Sequence, residues 1–419
     1  MNQPSSTNES RVMPTKAQWL TLTAAFLGWL FDGFEIGLFP VVARPALRDM
    51  LGTGGDALVG EWMGRITAAF LVGAALGGGL FGWLGDRIGR VRAMTLSILV
   101  YSVFSGAGYF AREPWHLGAF RFIAALGMGG EWALGVALVM ECWPEKHRPW
   151  LAGAIGAAAN LGMLLVGLLA MVVPVTQESW RWMFLVGASP AILTFLIRLF
   201  VPESERWKSA VTGRKNKPLA DVFSPPLLGR TLIGIVLASV ALIGTWGSVQ
   251  WIPLWVDRLT GGTMPEAKAN AQMALSIGAI TGSLLAPIIG GPIGRRIGFF
   301  GLCAVSLVSC GLLFRLVSAY GPGLLAMVAL VGCSTAAFYG WFPLYFPELF
   351  PTRVRATGQG ICFNFGRIVA AVGALTSGHL VKHYEGDYAQ MGAVVTLVYL
   401  VGMAVVWLAP ETRGKPLPD

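Results

Sequence analysis

Long apolar runs separated by short polar loops dominate the chain. Twelve stand out, at about 17–43, 60–85, 92–111, 115–140, 150–173, 180–201, 231–257, 269–292, 298–320, 322–346, 356–380 and 388–409. Each reaches or exceeds the ~20 residues that carry a helix across a bilayer. Most are rich in Gly and Ala, as in Gly73-Ala-Ala-Leu-Gly77 and Gly33-Phe-Glu-Ile-Gly37. Small residues at that spacing let membrane helices approach closely. The prediction is an all-α membrane protein with twelve transmembrane helices.

Composition supports this reading. The 419 residues are 55% hydrophobic and 13% charged, against about 25% charged in a soluble domain. The net charge of +9 therefore reflects loop asymmetry and not a nucleic-acid partner. If the N-terminus is placed in the cytoplasm, the inner segments hold nineteen Lys and Arg and the outer ones eight. That is the positive-inside bias, and it puts both termini on the cytoplasmic side of the plasma (inner) membrane. The first sixteen residues are polar and carry no cleavage signature, so the first run is retained. The five cysteines lie in or beside apolar runs and suggest no disulfide framework. The four histidines are scattered. With no metal-ligand cluster and no nucleophile beside a base, an enzyme is set aside, and no cofactor or metal is expected.

The chain is an internal duplication. Glu141-Cys-Trp-Pro144-Glu-Lys-His-Arg148 recurs as Glu348-Leu-Phe-Pro351-Thr-Arg-Val-Arg355. Gly82-Trp-Leu-Gly-Asp86-Arg87-Ile-Gly89-Arg90 recurs as Gly291-Pro-Ile-Gly-Arg295-Arg296-Ile-Gly298-Phe299, and Pro202-Glu203-Ser204 as Pro410-Glu411-Thr412. The offsets are nearly equal. The domain reading is a tail (1–16), a six-helix bundle (17–201), a cytoplasmic linker (202–230), a second six-helix bundle (231–409) and a tail (410–419). The two bundles are pseudo-symmetric. Parallel halves with a midplane site between them are the layout of rocking transporters.

Gly82–Arg90 resembles the loop signature of the major facilitator superfamily. The tandem E-x-x-P-x-x-x-R loops and Pro202-Glu-Ser-Glu-Arg-Trp207 are similar to the sugar-porter and metabolite:proton symporter branch. Phe31-Asp-Gly-Phe-Glu35, Gly129-Gly-Glu-Trp132 and Glu141–Arg148 resemble the sialate and aromatic-acid proton symporters. The resemblance spans essentially the whole chain. It implies secondary transport of a small molecule through a lipid bilayer, driven by a proton gradient. It also implies that Asp86 docks on the start of the eleventh span near Ala356, and that the first-span acid pairs with the fourth-span arginine. The second copy departs from the signature: Arg295 stands at the acidic position and Phe299 at the last basic one. Gating by this loop is therefore expected of the first copy.

Candidate chemistry follows from charges inside the runs, which are costly there and mark ion or substrate paths. Asp32 and Glu35 are three apart and share one helical face. Arg121 lies at the same depth, and Glu131 about 15 Å deeper. These four are the candidates for proton coupling. The competing reading of Asp32, Glu35 and Arg121 is a static ion pair that fixes packing; Glu131 would instead partner an inner-loop arginine. Arg367, in mid-span, is the candidate grip for a substrate carboxylate, since its fork matches one bidentately. Asn160, Trp246, Gln250, Tyr339 and Asn364 complete the expected substrate site, with Trp246 and Gln250 on one face. Gly82, Asp86, Arg87, Gly89, Arg90, Glu141, Arg148, Glu348 and Arg355 form an expected cytoplasmic gate, with Glu141 paired to Arg148 and Glu348 to Arg355. The leading expectation is proton:organic-acid symport by alternating access. Sugar:proton symport, facilitated sugar diffusion and a transporter-like nutrient sensor are the alternatives. Arg367 separates acid from sugar, because a neutral sugar needs no cavity cation. A monomer suffices, since nothing in the sequence demands an oligomer.

Overall fold

The computed structural model describes residues 14–52, 56–173, 175–211, 217–261 and 263–419. Most of the N-terminal tail, including Arg11, and the linker residues Arg214 and Lys215 lie outside them.

Thr15 opens the first span with a capping box, its hydroxyl accepting from Gln18 N and the Gln18 side chain accepting from Thr15 N. The helix runs Lys16–Leu51, so Arg44 and Arg48 extend it and do not begin a loop. The next four spans are Asp56–Ile88, Arg90–Ala107, Pro114–Cys142 and Arg148–Val172. The sixth is two short helices, Trp180–Gly187 and Pro190–Phe200. Pro190 has no N–H to bond back to Val186, so the ladder breaks there. The seventh comprises Pro225–Gly247 and Ile252–Leu259, joined by a 3-10 turn ahead of Pro253. The eighth to eleventh are Pro265–Ile293, Arg295–Leu316, Pro322–Leu349 and Arg355–His383. The twelfth comprises Tyr388–Val395 and Val398–Val405. Among the described residues ten of these spans, the seventh and twelfth included, are long and apolar enough to cross a bilayer. The broken sixth and the more polar eleventh complete twelve. The stretch 202–230 holds two further short helices, Glu205–Val211 and Pro218–Val222, and the start of the seventh span.

Missing Cβ atoms set the spacing of these helices. A Cβ on Gly33 would lie 1.9 Å from the Ala159 carbonyl oxygen, locking the first span to the fifth. Gly77 packs in the same way on Leu126, and Gly282 on Cys333 in the second half. The halves meet along two seams. The fifth span lies on the eighth and tenth through Gly153 and Gly156, and the second lies on the eleventh through Gly78 and Gly82. Among the described residues, every hydrogen bond between the halves lies at midplane or at the end where the linker joins them. That end is sealed, and the cavity lies between midplane and the other end.

Candidate functional site

A cavity of about 160 Å³ lies between the halves. Its wall is mainly apolar, with Trp29, Phe70, Met128, Met163, Trp246 and Phe363. Polar groups come from Thr67, Asn160, Gln250, Tyr339 and Arg367. Trp246 is the last residue but one of the helix Pro225–Gly247, and Gln250 sits in the 3-10 turn beyond. The two reach the cavity from different segments, and not from one helical face. Asn364 is not on the wall. Its amide donates to Gly129 O at 3.2 Å and Gly360 O at 2.8 Å, joining the halves at midplane. Gly78 permits this approach, since a Cβ there would lie 1.7 Å from the amide nitrogen.

Arg367 is 9% exposed. Its guanidinium donates to Asn364 Oδ1 at 3.0 Å and lies 4.9 Å from the centre of the Phe363 ring. Among the described residues no carboxylate comes within ion-pair distance of it. Asp32 is its electrostatic neighbour. Phe363 also forms the cavity floor, stacked on Trp132 at 4.4 Å and edge-on to Trp29.

Asp32 falls between Trp29 and Ile36, two wall residues of the same helix. It is fully buried, and neither oxygen has a hydrogen-bond partner among the described residues. Glu131 is its foremost acidic neighbour, followed by Glu35. Gly28, one turn before Asp32, makes room for the Glu131 carboxyl; a Cβ there would lie 2.0 Å from it. Glu131 thus faces Asp32, and no inner-loop arginine pairs with it among the described residues. Glu35 pairs with Arg121 at 2.5 Å and accepts from Ser105 Oγ at 2.7 Å. Arg121 also lies over the rings of Phe39 and Phe70. Tyr101 is an electrostatic neighbour of all three acids, and its buried hydroxyl is unpartnered among the described residues. Charge-based reading of the sequence found the acids but not Ser105, Tyr101 or Phe363, which carry no charge to mark them.

The sealed end is a network of buried charges. Asp86 accepts from Thr357 N at 2.7 Å and Ala356 N at 3.3 Å, where a helix N-terminus offers unpaired N–H groups. Arg90 binds Asp86, Glu141 and the Thr352 carbonyl. Glu141 also binds Arg355 across the halves at 3.0 Å. This corrects the expected local pairs. Pro144 starts a 3-10 turn that swings Arg148 onto Glu145, at 2.9 Å. Glu348 instead takes Arg295 in a two-point grip at 2.7 and 2.8 Å. Arg87 is not part of the network; it is exposed and lies over Trp83.

The repeated Pro-Glu-Ser/Thr segments have a structural role that their sequence did not reveal. Glu203 accepts from the backbone of Arg90 and Val91, and Glu411 from that of Arg295 and Arg296. Each caps a helix that starts just after a left-handed glycine, Gly89 (φ 112°) or Gly294 (φ 119°). Ser204 and Thr412 each donate at 2.5 Å to the gate acid of their own half, Glu141 and Glu348. Burial would raise the Glu411 carboxyl, but the N–H groups of Arg295, Arg413, Arg296 and Thr412 outweigh it and hold it below the usual range. The C-terminal tail joins this end too. The Pro418 carbonyl accepts from Arg355 Nη2 at 2.7 Å and Thr352 N at 3.2 Å, with Leu417 buried beside it.

The chain has counterparts among known proteins. The chain is 30% identical over 413 residues to a Haemophilus influenzae protein named for metabolite transport, covering 95% of this chain and 98% of that one. It is 27% identical to the sialic acid transporter NanX of Escherichia coli, covering 88% and 87%. Among solved structures it superposes on the proton:xylose symporter XylE with a TM-score of 0.78 at 19% identity, covering 96% and 98%. The family model described as Major Facilitator Superfamily matches residues 21–374, so the chain belongs to that superfamily and is a multi-pass membrane transporter.

Proposed function

We propose that this transporter is a proton-coupled symporter of a small, ring-bearing or unsaturated carboxylic acid. The observation that carries the reading is Arg367, a buried cavity cation whose hydrogen-bond partner is the neutral Asn364. Its unused N–H groups offer a substrate carboxylate a two-point grip. The volume supports a small acid, since a cavity of about 150 Å³ accommodates one benzene-sized ring. Relatives named for gentisate and for cis,cis-muconate transport fit the same chemistry. A sugar fits the amides Asn160 and Gln250 but does not call for the guanidinium fork of Arg367.

Charge counting supplies the coupling. Asp32, Glu131 and Arg367 form one electrostatic group. Two carboxylates and one guanidinium already leave it one negative charge in excess. A substrate anion would add a second, and an isolated charge in an apolar site is prohibitive. A proton that enters with the anion, shared between Asp32 and Glu131, keeps the count constant. Glu35, held by Arg121 and Ser105, is the next acid on the path. The linker end is the cytoplasmic one, so this structure faces outward, and release follows when the gate opens. The carrier is a monomer in the plasma (inner) membrane and needs no cofactor.

Vesicles loaded with a pH dye test this directly. Added benzoate, gentisate or muconate should acidify the lumen, hexoses should not, and Asp32→Asn should bring acidification to background. Acid entry with no proton movement, unchanged in Asp32→Asn, would refute the coupling. Hexose uptake that survives Arg367→Leu would refute the acid.

A further inference from the structure

Between the cavity floor and the sealed end lies a buried amide whose surroundings leave it incomplete. Gln359 is 0% exposed, and neither its amide nitrogen nor its oxygen has a hydrogen-bond partner among the described residues. The other amide on this helix, Asn364, is fully engaged. An unmade bond on a buried amide is a cost that apolar residues of the same shape avoid. Leu or Met would fill the place without it.

The position of Gln359 gives the cost a purpose. Arg355, Gln359, Phe363 and Arg367 are spaced by four along the eleventh span, so they form one stripe. Arg367 holds the cavity end, Phe363 is the floor, and Arg355 is clamped to Glu141 in the gate. The flanking residues are occupied by packing. Cys362 lies on the seventh span, and Gly360 on the second. A carboxylate that leaves Arg367 for the gate travels about 18 Å along this helix at 1.5 Å per residue. Phe363 offers it no donor. Gln359 lies two-thirds of the way along.

We propose that Gln359 is a relay for the substrate carboxylate, a positioning and path residue that is unpartnered while the linker end is shut and donates to the anion once it opens. The inference rests on the acid-carrier reading for its cargo but not for its geometry. The amide then favours opening, because the shut state is the one that leaves it unpaired.

Two measurements test it. In the first, Gln359→Cys is exposed to a membrane-impermeant anionic methanethiosulfonate in detergent, with labelling of the native cysteines as baseline. Its labelling should be slow with the gate intact and at least tenfold faster when Glu141→Ala is added. Thr352→Cys, within the gate, reports that the gate has opened. Fast labelling at Thr352→Cys with none at Gln359→Cys would overturn the relay. In the second, vesicle uptake of benzoate, gentisate and muconate is compared for wild type, Gln359→Leu and Gln359→Asn. The relay requires a roughly tenfold lower maximal rate in Gln359→Leu, unchanged half-saturation, and partial recovery in Gln359→Asn. A well-folded Gln359→Leu with the wild-type rate would overturn it. If wild type moves none of these acids, the acid reading fails, and the labelling still decides whether Gln359 lines the path.

Discussion

The two halves share a scaffold at the linker end, an arginine after a left-handed glycine bound to an acid of its own half, but only the first half adds an acid that crosses. In the first half an acid, Asp86, three residues before Gly89, reaches across to the backbone of the eleventh span and holds Arg90. In the second half Arg295 follows Gly294 as Arg90 follows Gly89 and likewise turns onto the acid of its own half, Glu348, while the place matching Asp86 is Gly291, so the sequence register that set Arg295 against Asp86 is corrected. Glu141 receives one bond from Arg90 of its own half and still bridges to Arg355, whereas Arg295 takes both oxygens of Glu348 and Arg148 pairs with Glu145. The repeat supplies two equivalent loops, but only one side of the pair latches. A one-sided latch can close the gate without binding the halves so firmly that it cannot reopen.

The largest expected effect comes from breaking the side that crosses. Glu141→Ala leaves the buried guanidiniums of Arg90 and Arg355 without their shared acid. Loss of one partner from a buried pair costs about 3–5 kcal/mol. The melting temperature in detergent should fall accordingly, and thiol labelling at the gate should rise. Glu348→Ala strands a single guanidinium and should cost near the lower end of that range. It should leave gate labelling unchanged, because its pair lies within one half. Equal labelling in the two variants would erase the distinction between the halves. Asp86→Asn keeps an acceptor for Thr357 N but loses the charge opposite Arg90. Its expected cost is about 1.5–3 kcal/mol, the range for hydrogen bonds to charged groups.

Smaller effects test what the halves share. Ser204→Ala and Thr412→Val each remove one hydroxyl from a gate acid and should cost about 1 kcal/mol each. Glu411 provides the pH arm. Its carboxyl is held below the usual range, so its contribution is present above the unfolded value of about 4.3 and is lost as pH falls through the folded one. Melting curves of wild type and Glu411→Gln should differ at neutral pH and converge below about pH 4. A constant gap would show that the cap does not depend on its charge.

Much of this was legible in the chain because it rests on length, periodicity and cost. A run of about 20 apolar residues has one use, and Asp32, Glu35, Arg121 and Arg367 announce themselves because charge is expensive there. Depth along a helix was enough to bring Arg121 to Glu35. Depth alone did not join Glu131 to Asp32; Gly28, one turn before Asp32, opens the room for its carboxyl. The gate partners failed for another reason. Sequence proximity favoured Glu141 with Arg148, but the turn after Pro144 rotates them apart. Gln359 carries no charge and no motif, so only its burial and empty valences mark it.

The tail contact has a consequence for anyone handling this protein. Arg355 is gripped on one side by Glu141 of the opposite half and on the other by the Pro418 carbonyl. The final residues therefore act as a strut behind the latch. A fluorescent protein or affinity handle fused at Asp419 is mechanically wired to the gate, and its bulk or tension would bias the direction that the carrier faces. An N-terminal handle, attached ahead of the Thr15 cap, avoids that lever.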